Sequence, residues 1–299
     1  MRVTDSMIWG NMQRNVASRQ SDYATAQERA VTGKRVNAPS DDPSSYAQER
    51  TETGNLSRAQ SYERTVGMAK PVLETTDSAL ATVETIMHRI RDIAVQGAND
   101  TLNPDDRNTL SQELGSLRDQ LVSLGNTTSG NRFIFAGYKE NAAPYDTAGL
   151  YTGDTQVQQV EVGRGVNLPL GATGESVFGT AGNDIFTTIT TLQAAITSDP
   201  SAMPAGGSAV VSNLITEIDT RFDEVRRVHS QIGIHLNAAE IAESVATRAQ
   251  DTATLNRSNL VDIDAAKAYT DLAMATTALN AAIQIAGQLP PPGLVNRSR

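Results

Sequence analysis

The sequence predicts a mainly α-helical protein that carries an inserted β subdomain. Apolar residues recur every seven positions through residues 59–94 and again through residues 211–253, which is the spacing of a coiled-coil seam. The middle of the chain is rich in glycine and lacks this repeat. Each apolar stripe needs a partner to leave water, so we expect the two stripes to pair antiparallel. The expected architecture is an elongated rod of helices from both termini, with a small β-rich domain at its far end.

The two stripes define the expected seam residue by residue. Aromatic residues make up 4% of the 299 positions, so a seam of small apolar side chains is expected instead of one thick core. The first stripe consists of Ala59, Val66, Leu73, Leu80, Met87 and Ala94, and the second consists of Val211, Ile218, Val225, Ile232, Ala239, Ala246 and Ala253.

The first helix is predicted by an apolar stripe at helical spacing through residues 8–30. Gly33 stands where this helix should end, because glycine readily adopts the left-handed conformation that closes many helices. Asp41 and Asp42 then precede Pro43, the usual order of capping residues and a first-turn proline. A long helix that carries the first seam is therefore expected to begin there.

Proline and glycine also punctuate the next part of the chain. Pro71 lies inside the first seam helix at an outward position, where its missing N–H must kink the helix or divide it. Asn103 and Pro104 signal the start of a third helix, and Gly125 signals its end. Because leucines line one face of this segment, we expect the helix to fold back onto the seam.

After Gly130 the pattern changes from helical to extended. Short runs of aromatic and β-branched residues predict strands near residues 132–136, 157–162 and 166–170, and Gly163-Arg164-Gly165 predicts a turn. The remaining expected elements are a short helix at 185–196, a linker at 200–207, the second seam helix from near Ala209, and a last Ala-rich helix at 262–288.

Composition excludes several classes of function. A net charge of -9 and a pI near 4.9, with no basic stripe, argue against a general nucleic-acid binder. The chain has no cysteine, which excludes disulfides and cysteine-ligated zinc. Residues 1–19 hold no continuous apolar secretory signal. Residues 272–296 carry no charge, but polar side chains and three prolines interrupt them, so no membrane span is expected.

No catalytic, cofactor-binding or metal-binding residues are predicted, and an enzyme is not expected. The three histidines, His88, His229 and His235, have no metal-ligand spacing among them. Two seam positions are polar, Arg221 and His235, which fits pairing with acids or the place where the seam meets solvent. The Asp pairs before helix starts are explained as caps.

Two groups of motifs resemble known proteins. Residues 32–43, Thr-Gly-Lys-Arg-Val-Asn-Ala-Pro-Ser-Asp-Asp-Pro, resemble the segment that follows the first helix in the flagellin family. Residues 129–138, followed by 141–145, are similar to one branch of that family, the hook-filament junction proteins, as are Tyr151 to Asp154 and Asn259 to Asp264. The resemblance covers nearly the whole chain, which departs from the family by continuing from Pro290 to Arg299.

The resemblance implies a division into domains and a set of partners. It implies an inner assembly domain of residues 1–42 with 258–289, a helical rod of 43–140 with 208–257 that includes a β-hairpin, an exposed β-rich domain of 141–207, and a tail of 290–299. It implies a subunit of the extracellular flagellum, exported by the flagellar type III apparatus without a cleaved signal. The implied partners are further copies of the chain in a ring, a companion junction protein, flagellin and a cytoplasmic export chaperone.

The terminal stripes are the predicted sites of self-assembly. They are rich in alanine and lack a large core, so the cost of ordering them is poorly covered and we expect neighbouring subunits to complete their burial. A flagellin-like filament subunit and a type III secreted translocator or effector remain as alternative functions. The predicted assembly residues are Ile8, Met12, Val16, Tyr23, Ala268, Leu272, Ala275 and Leu279, and the predicted chaperone-binding residues are Leu272, Leu279 and Ile283.

Overall fold

Helices dominate the computed structural model, which describes residues 2–98, 102–198 and 207–288. The fold class predicted from the sequence, mainly α with small strands inserted between long helices, is confirmed. The helices are α1 (Arg2–Thr32), α2 (Pro43–Gly97), α3 (Pro104–Gly125), α4 (Gly174–Phe178), α5 (Ile185–Thr197), α6 (Gly207–Val261) and α7 (Ala265–Gln288). The strands are β1 (Thr128–Ser129), β2 (Arg132–Phe133), β3 (Gln159–Gly163), β4 (Val166–Pro169), β5 (Gly179–Thr180) and β6 (Asn183–Asp184).

Local capping signals set the helix boundaries. Gly33 follows α1 with a φ of 68°, a conformation that side chains with a Cβ rarely adopt. At the start of α2, the Asp42 carboxylate accepts a hydrogen bond of 3.1 Å from the backbone N–H of Ser45. Asn103 caps α3 by accepting from the N–H of Asp106 at 2.8 Å. The boundaries predicted at Gly33, Pro43, Pro104 and Gly125 are confirmed.

The chain divides into two compact units. Unit 1 comprises residues 1–58 and 249–299, and unit 2 comprises residues 59–248. Both boundaries fall within long helices, α2 and α6. The three domains predicted from the family resemblance stay a prediction, and the tail 290–299 and most of the linker 200–207 lie outside the described residues.

Unit 2 contains the hydrophobic core. Most of the predicted seam forms within it: Leu73, Leu80 and Ile218 are fully buried, and Arg91 of α2 reaches Asp219 of α6 at 2.5 Å. A second ion pair between the same two helices joins Lys70 of α2 to Glu243 of α6 at 3.4 Å. Because the residue number falls along α6 as it rises along α2, the two helices are antiparallel, as predicted.

α2 continues through Pro71 without a break. The sequence predicted that Pro71 either kinks or divides this helix, and the structure shows that the helix is not divided. Pro71 is exposed, so its ring lies on the outward face, where the lost hydrogen bond leaves a carbonyl next to solvent and not in the core.

The strands form three separate antiparallel pairs: β1–β2, β3–β4 and β5–β6. The pair β3–β4 is formed by the strands predicted near 157–162 and 166–170, with Val160 opposite Leu168 and the predicted turn at residues 163–165 between them. The predicted strand at 132–136 is wrong beyond Phe133. The strand ends at Phe133, and the next three residues, Ile134, Phe135 and Ala136, are buried in the core. Burial there stabilises them more than pairing with a two-residue strand would.

An aromatic cluster fills the core beside the strand pairs. Phe178 is its centre, with ring centroids 5.8 Å from Phe135, 5.4 Å from Tyr145 and 5.5 Å from Phe186. The three phenylalanines are each at most 1% exposed. Although the chain has few aromatic residues, it places several of them at this one point.

The last helix begins three residues later than predicted. Asp262 forms an isolated β-bridge with Lys34, so it cannot belong to a helix. The Asp264 carboxylate accepts from the N–H of Ala266 at 2.8 Å and starts α7 there. No local pattern around residue 262 indicates that a segment so distant along the chain holds it in an extended conformation.

Candidate assembly surface

The terminal helices α1 and α7 pack against each other in unit 1, as the two Ala-rich stripes predict. This pairing brings the predicted assembly residues together on two neighbouring helices. Their burial is slight. Of the eight, Ala268 is buried, Ile8 is 48% exposed, and Met12, Val16, Tyr23, Leu272, Ala275 and Leu279 are half-buried.

Unit 1 has almost no interior. Its only buried residues among those described are Val36, Ala253, Val261 and Ala268. The large contiguous hydrophobic core, from Val66 to Ala239, belongs entirely to unit 2. The terminal helices of a single chain are therefore folded around very little buried apolar surface.

α7 exposes apolar side chains on both sides of its half-buried stripe. At 100° per residue, Tyr269 and Ile283 lie on one flank, and Met274 and Ile285 lie on the other. These four side chains are between 52% and 64% exposed. From Leu272 to Gln288 the helix has no charged residue, so neither flank carries the charge that usually solvates a free helix surface.

A short β-bridged clasp joins the two loops of unit 1. The backbone N–H of Arg35 donates to the carbonyl of Val261 at 2.6 Å, and the N–H of Ile263 donates to the carbonyl of Gly33 at 3.0 Å. We call residues 33–42 and 260–264 together the clasp. The family-like segments 32–43 and 259–264 thus meet each other, and each supplies backbone hydrogen-bond partners to the other.

The side chain of Arg35 ties the clasp together. One guanidinium nitrogen donates to the carbonyl of Leu260 at 2.8 Å and to the hydroxyl of Ser45 at 3.3 Å, and the other contacts Asp42 at 3.3 Å. The planar fork of arginine can serve these directions at once. This role of Arg35 could not be predicted from the sequence, because a basic side chain in a loop does not by itself indicate such contacts.

Two carboxylates stabilise the turn that leads into α2. Hydrogen bonds from the N–H groups of Ala38 and Asn37 hold the pKa of Asp41 below its usual value. Hydrogen bonds from the hydroxyl and N–H of Ser45 lower the pKa of Asp42 to about 2, and Arg35 adds to this effect. Both carboxylates are charged at neutral pH, which is the form that accepts these hydrogen bonds.

The pKa of Asp42 predicts how the turn responds to acid. Because the folded-state pKa lies below the unfolded value, the contribution of Asp42 is fully present above about pH 4 and is lost as the pH falls toward about 2. NMR should show the amide resonance of Ser45 unchanged from about pH 8 to about pH 5 and shifting below about pH 4. An inflection of that resonance near pH 6 would contradict the assignment.

The fork geometry predicts that Arg35→Lys weakens the clasp. An ammonium is a point charge and cannot reach Leu260, Ser45 and Asp42 together. Because the Arg35 side chain is 45% exposed, the expected loss is about 1 kcal/mol or less. Limited proteolysis should cut within residues 33–45 a few times faster, whereas Arg64→Lys, at an exposed position of α2, should leave that rate unchanged.

A row of charged contacts along the α2–α6 seam was missed by the sequence analysis. Lys70, Asp77, Glu84 and Arg91 are spaced seven residues apart on α2 and all contact α6. The two middle carboxylates hold His229, Asp77 through Nε2 at 3.2 Å and Glu84 through Nδ1 at 2.8 Å. The seven-residue spacing of these charges, parallel to the apolar repeat, was the signal that could have found them.

The segment with the most specific family resemblance, residues 132–138, has a structural role in unit 2. The carbonyl of Phe135 accepts from the N–H of Gly174 at 2.8 Å, while Arg132 pairs with Glu140 at 3.4 Å. Gly137 has a φ of 64°, and a Cβ there would lie 2.6 Å from the carbonyl oxygen of Asp154. The motif therefore packs a tight turn against the core.

Comparisons with known proteins agree with these motifs. Residues 3–140 match the model of the bacterial flagellin N-terminal helical region. The flagellar hook-associated protein 3 of Escherichia coli strain K12 is 30% identical to the chain over 305 residues, and the alignment covers 94% of each protein. The chain belongs to the flagellar hook-associated protein 3 family.

The chain is also similar to a solved junction-protein structure and, over a shorter part of its length, to flagellins. The flagellar junction protein FlgL from Legionella pneumophila has the same fold, with a TM-score of 0.57 and 18% identity over 72% of this chain and 100% of that chain. A flagellin of Listeria monocytogenes is 30% identical over 131 residues, which is 44% of this chain and 46% of the flagellin. The match to hook-associated protein 3 thus covers 94% of the chain, whereas the flagellin match covers less than half.

Two other kinds of site, a membrane-spanning helix and a metal centre, have no candidate among the described residues. Among the helices of the described residues, none has both the length and the apolar character needed to cross a membrane. Within those residues no three His, Asp or Glu side chains are grouped as metal ligands. Members of the hook-associated protein 3 family are structural proteins of the flagellum, and the features found in unit 1 concern packing.

Proposed function

We propose that the chain is a subunit of the flagellar hook-filament junction and assembles into a ring through α1 and α7. The observation that carries the proposal is the lack of an interior in unit 1, where only four described residues are buried. Ordering a residue costs roughly 1 to 2 kcal/mol, so helices with so little burial gain most of their stability from surfaces outside the chain.

The two apolar flanks of α7 support contacts with two neighbours. Tyr269 and Ile283 would meet one adjacent subunit, and Met274 and Ile285 would meet the other. Contacts between unlike surfaces repeat around an axis and close into a ring when the rotation allows it. The six half-buried assembly residues would become fully buried in the assembled state: Met12, Val16, Tyr23, Leu272, Ala275 and Leu279.

The proposed partners follow from the family. A companion hook-associated junction protein lies on one side of the ring, flagellin lies on the other, and the subunit reaches this extracellular position through the flagellar type III apparatus without a cleaved signal. In the cytoplasm an export chaperone binds α7 through Leu272, Leu279 and Ile283. Ile283 is 52% exposed and accessible to a chaperone, whereas Leu272 and Leu279 are half-buried, so chaperone binding competes with the α1–α7 contact.

Deletion of the gene tests the junction role. Electron microscopy of the deletion strain should show hooks without filaments, and flagellin should be released into the medium. Return of the wild-type gene should restore filaments. Hooks that carry normal filaments would contradict the junction role. Hooks without filaments and without flagellin in the medium would favour the filament-subunit alternative.

A triple substitution tests the chaperone site. Replacing Leu272, Leu279 and Ile283 by serine should greatly reduce the affinity of the purified chain for its chaperone, because the apolar contacts are removed. A matched triple variant with serine at the exposed Ala265, Ala273 and Ala281 should retain wild-type affinity. Unchanged affinity of the Leu272-Leu279-Ile283 variant would overturn the assignment.

Proteolysis tests the coupling of burial to assembly. In the free monomer, α1 and α7 should be cut faster than the helices of unit 2, and both should become protected in assembled flagella. Equal protection of α1, α7 and α2 in a confirmed monomer would contradict the coupling.

A further inference from the structure

One section of the α2–α6 seam in unit 2 combines several weak helix positions. Pro71 has no backbone N–H, so the carbonyl of Gly67, four residues earlier, has no partner within the helix. Gly67 and Gly233 both lie in helix interiors, where glycine is unfavourable. A Cβ at either position would meet no atom within 4 Å, so packing does not require glycine there.

These weak positions lie in the same section of the seam. The contacts of Lys70 with Glu243 and of Asp77 with His229 place residues 70–77 of α2 beside residues 229–243 of α6. By this register Pro71 lies near the Lys70–Glu243 contact and Gly233 lies near the Asp77–His229 contact, so the weak positions fall within one section of about three helical turns. Its buried side chains include the small Ala69 and Ala239 beside the larger Leu73 and Ile232, and the alanines contribute little apolar area.

His235 lies half-buried at a seam position in this section. Its Nδ1 atom is buried and has no hydrogen bond among the described residues, and burial lowers the pKa of the ring. Burial is the cause of this shift, and no charged group of the described residues contributes to it. The nearby charges of α2 and α6 face other partners: Lys70 faces Glu243, and Asp77 and Glu84 face His229.

We propose that residues 67–77 of α2 and 229–243 of α6 form a hinge at which the seam opens locally, and that protonation of His235 promotes the opening. In the closed seam the neutral ring is accommodated, whereas a charged ring would be desolvated without a counter-ion. Opening exposes the ring to water, where it titrates as an ordinary histidine near pH 6.5.

The sign of the pH effect follows from these states. Because the closed seam depresses the pKa of His235, the open state binds more protons between the two values, and opening becomes easier as the pH falls. His229, the other histidine of this section, contacts Asp77 and Glu84, whereas His235 does not, so the two histidines can be tested separately by substitution.

The absence of cysteine makes the opening measurable by thiol labelling. Ala239→Cys places a single thiol at a position with 0% exposure in the hinge, and Ala69→Cys, at 1% exposure, is a second probe should the first disturb folding. Ala94→Cys, also at 0% exposure, reports on the seam outside the hinge. Each labelling rate is divided by the rate of the same thiol in the unfolded chain at the same pH.

The expected result is faster labelling of the hinge at low pH. Between about pH 7.5 and about pH 5 the protection of Cys at 239 should fall, by at most about thirtyfold, the limit set by an ordinary histidine over that range. Protection at position 94 should stay constant. Equal protection at positions 239 and 94 at both pH values would overturn the proposal.

Two further variants separate the histidine from the helix defects. His235→Leu in the Ala239→Cys background should remove the fall in protection, while His229→Gln should leave it in place. Combined Gly67→Ala, Pro71→Ala and Gly233→Ala substitutions should slow labelling at position 239 several-fold at both pH values, without changing it at position 94. A pH response that survives His235→Leu would exclude His235, and unchanged labelling in the triple variant would exclude the hinge.

Discussion

Ile283→Asp is expected to abolish assembly while the monomer stays folded. The side chain is 52% exposed in the single chain, so a carboxylate at this position remains in water and costs little there. In the proposed ring the same carboxylate would be buried against a neighbouring subunit without a partner. An unpaired buried charge costs several kcal/mol, and a loss of about 3 kcal/mol at each contact weakens each by roughly a hundredfold.

Two measurements check this expectation together. Electron microscopy and swimming assays of cells that carry Ile283→Asp should show few or no filaments, and thermal unfolding of the purified monomer should match the wild type within about 0.5 kcal/mol. Ala142→Asp adds the same charge at an exposed loop position of unit 2 and should leave filaments intact. Normal filaments on the Ile283→Asp strain would remove this flank of α7 from the assembly surface.

Phe178→Ala is expected to have the largest effect on the stability of the monomer. Phe178 is 1% exposed and contacts three other aromatic rings, so its truncation removes apolar burial and leaves a cavity. The expected loss is about 3 to 5 kcal/mol in the free energy of unfolding of unit 2. Urea unfolding followed by near-ultraviolet circular dichroism measures it directly, because the cluster contains Tyr145.

A matched substitution on the surface sets the scale for this loss. Val166→Ala, at a position that is 56% exposed in the β3–β4 hairpin, should change the unfolding free energy by about 0.5 kcal/mol or less. Should Phe178→Ala cost no more than Val166→Ala, the aromatic cluster would not be the stabilising centre of unit 2.

Local signals explain why the helices could be predicted from the sequence. Gly33, Pro43, Asn103 and Gly125 act on the one or two turns beside them, so their effect does not depend on the rest of the fold. The seam was equally predictable because a seven-residue repeat over five turns or more has few other solutions. The pairing of α1 with α7 followed once both terminal stripes were recognised as apolar.

Distant partners explain what the sequence did not predict. Arg35 donates to Leu260 across 225 positions, and no local pattern announces such a bond. Phe135 looked like a strand residue because it is aromatic and follows Phe133, yet burial in the core decides its place. The two-sided exposure of α7 likewise depends on which face α1 covers, which only the packed pair reveals.

The small interior of unit 1 has a kinetic consequence. If neighbours complete α1 and α7, a subunit loses little when it is unravelled before incorporation, since few buried contacts must be broken. After incorporation, departure requires two neighbours to release the helices at once, and the barrier becomes the sum of both contacts. Incorporation is then fast and dissociation is slow, although the same residues take part in both. The finished ring therefore retains each subunit that it has incorporated.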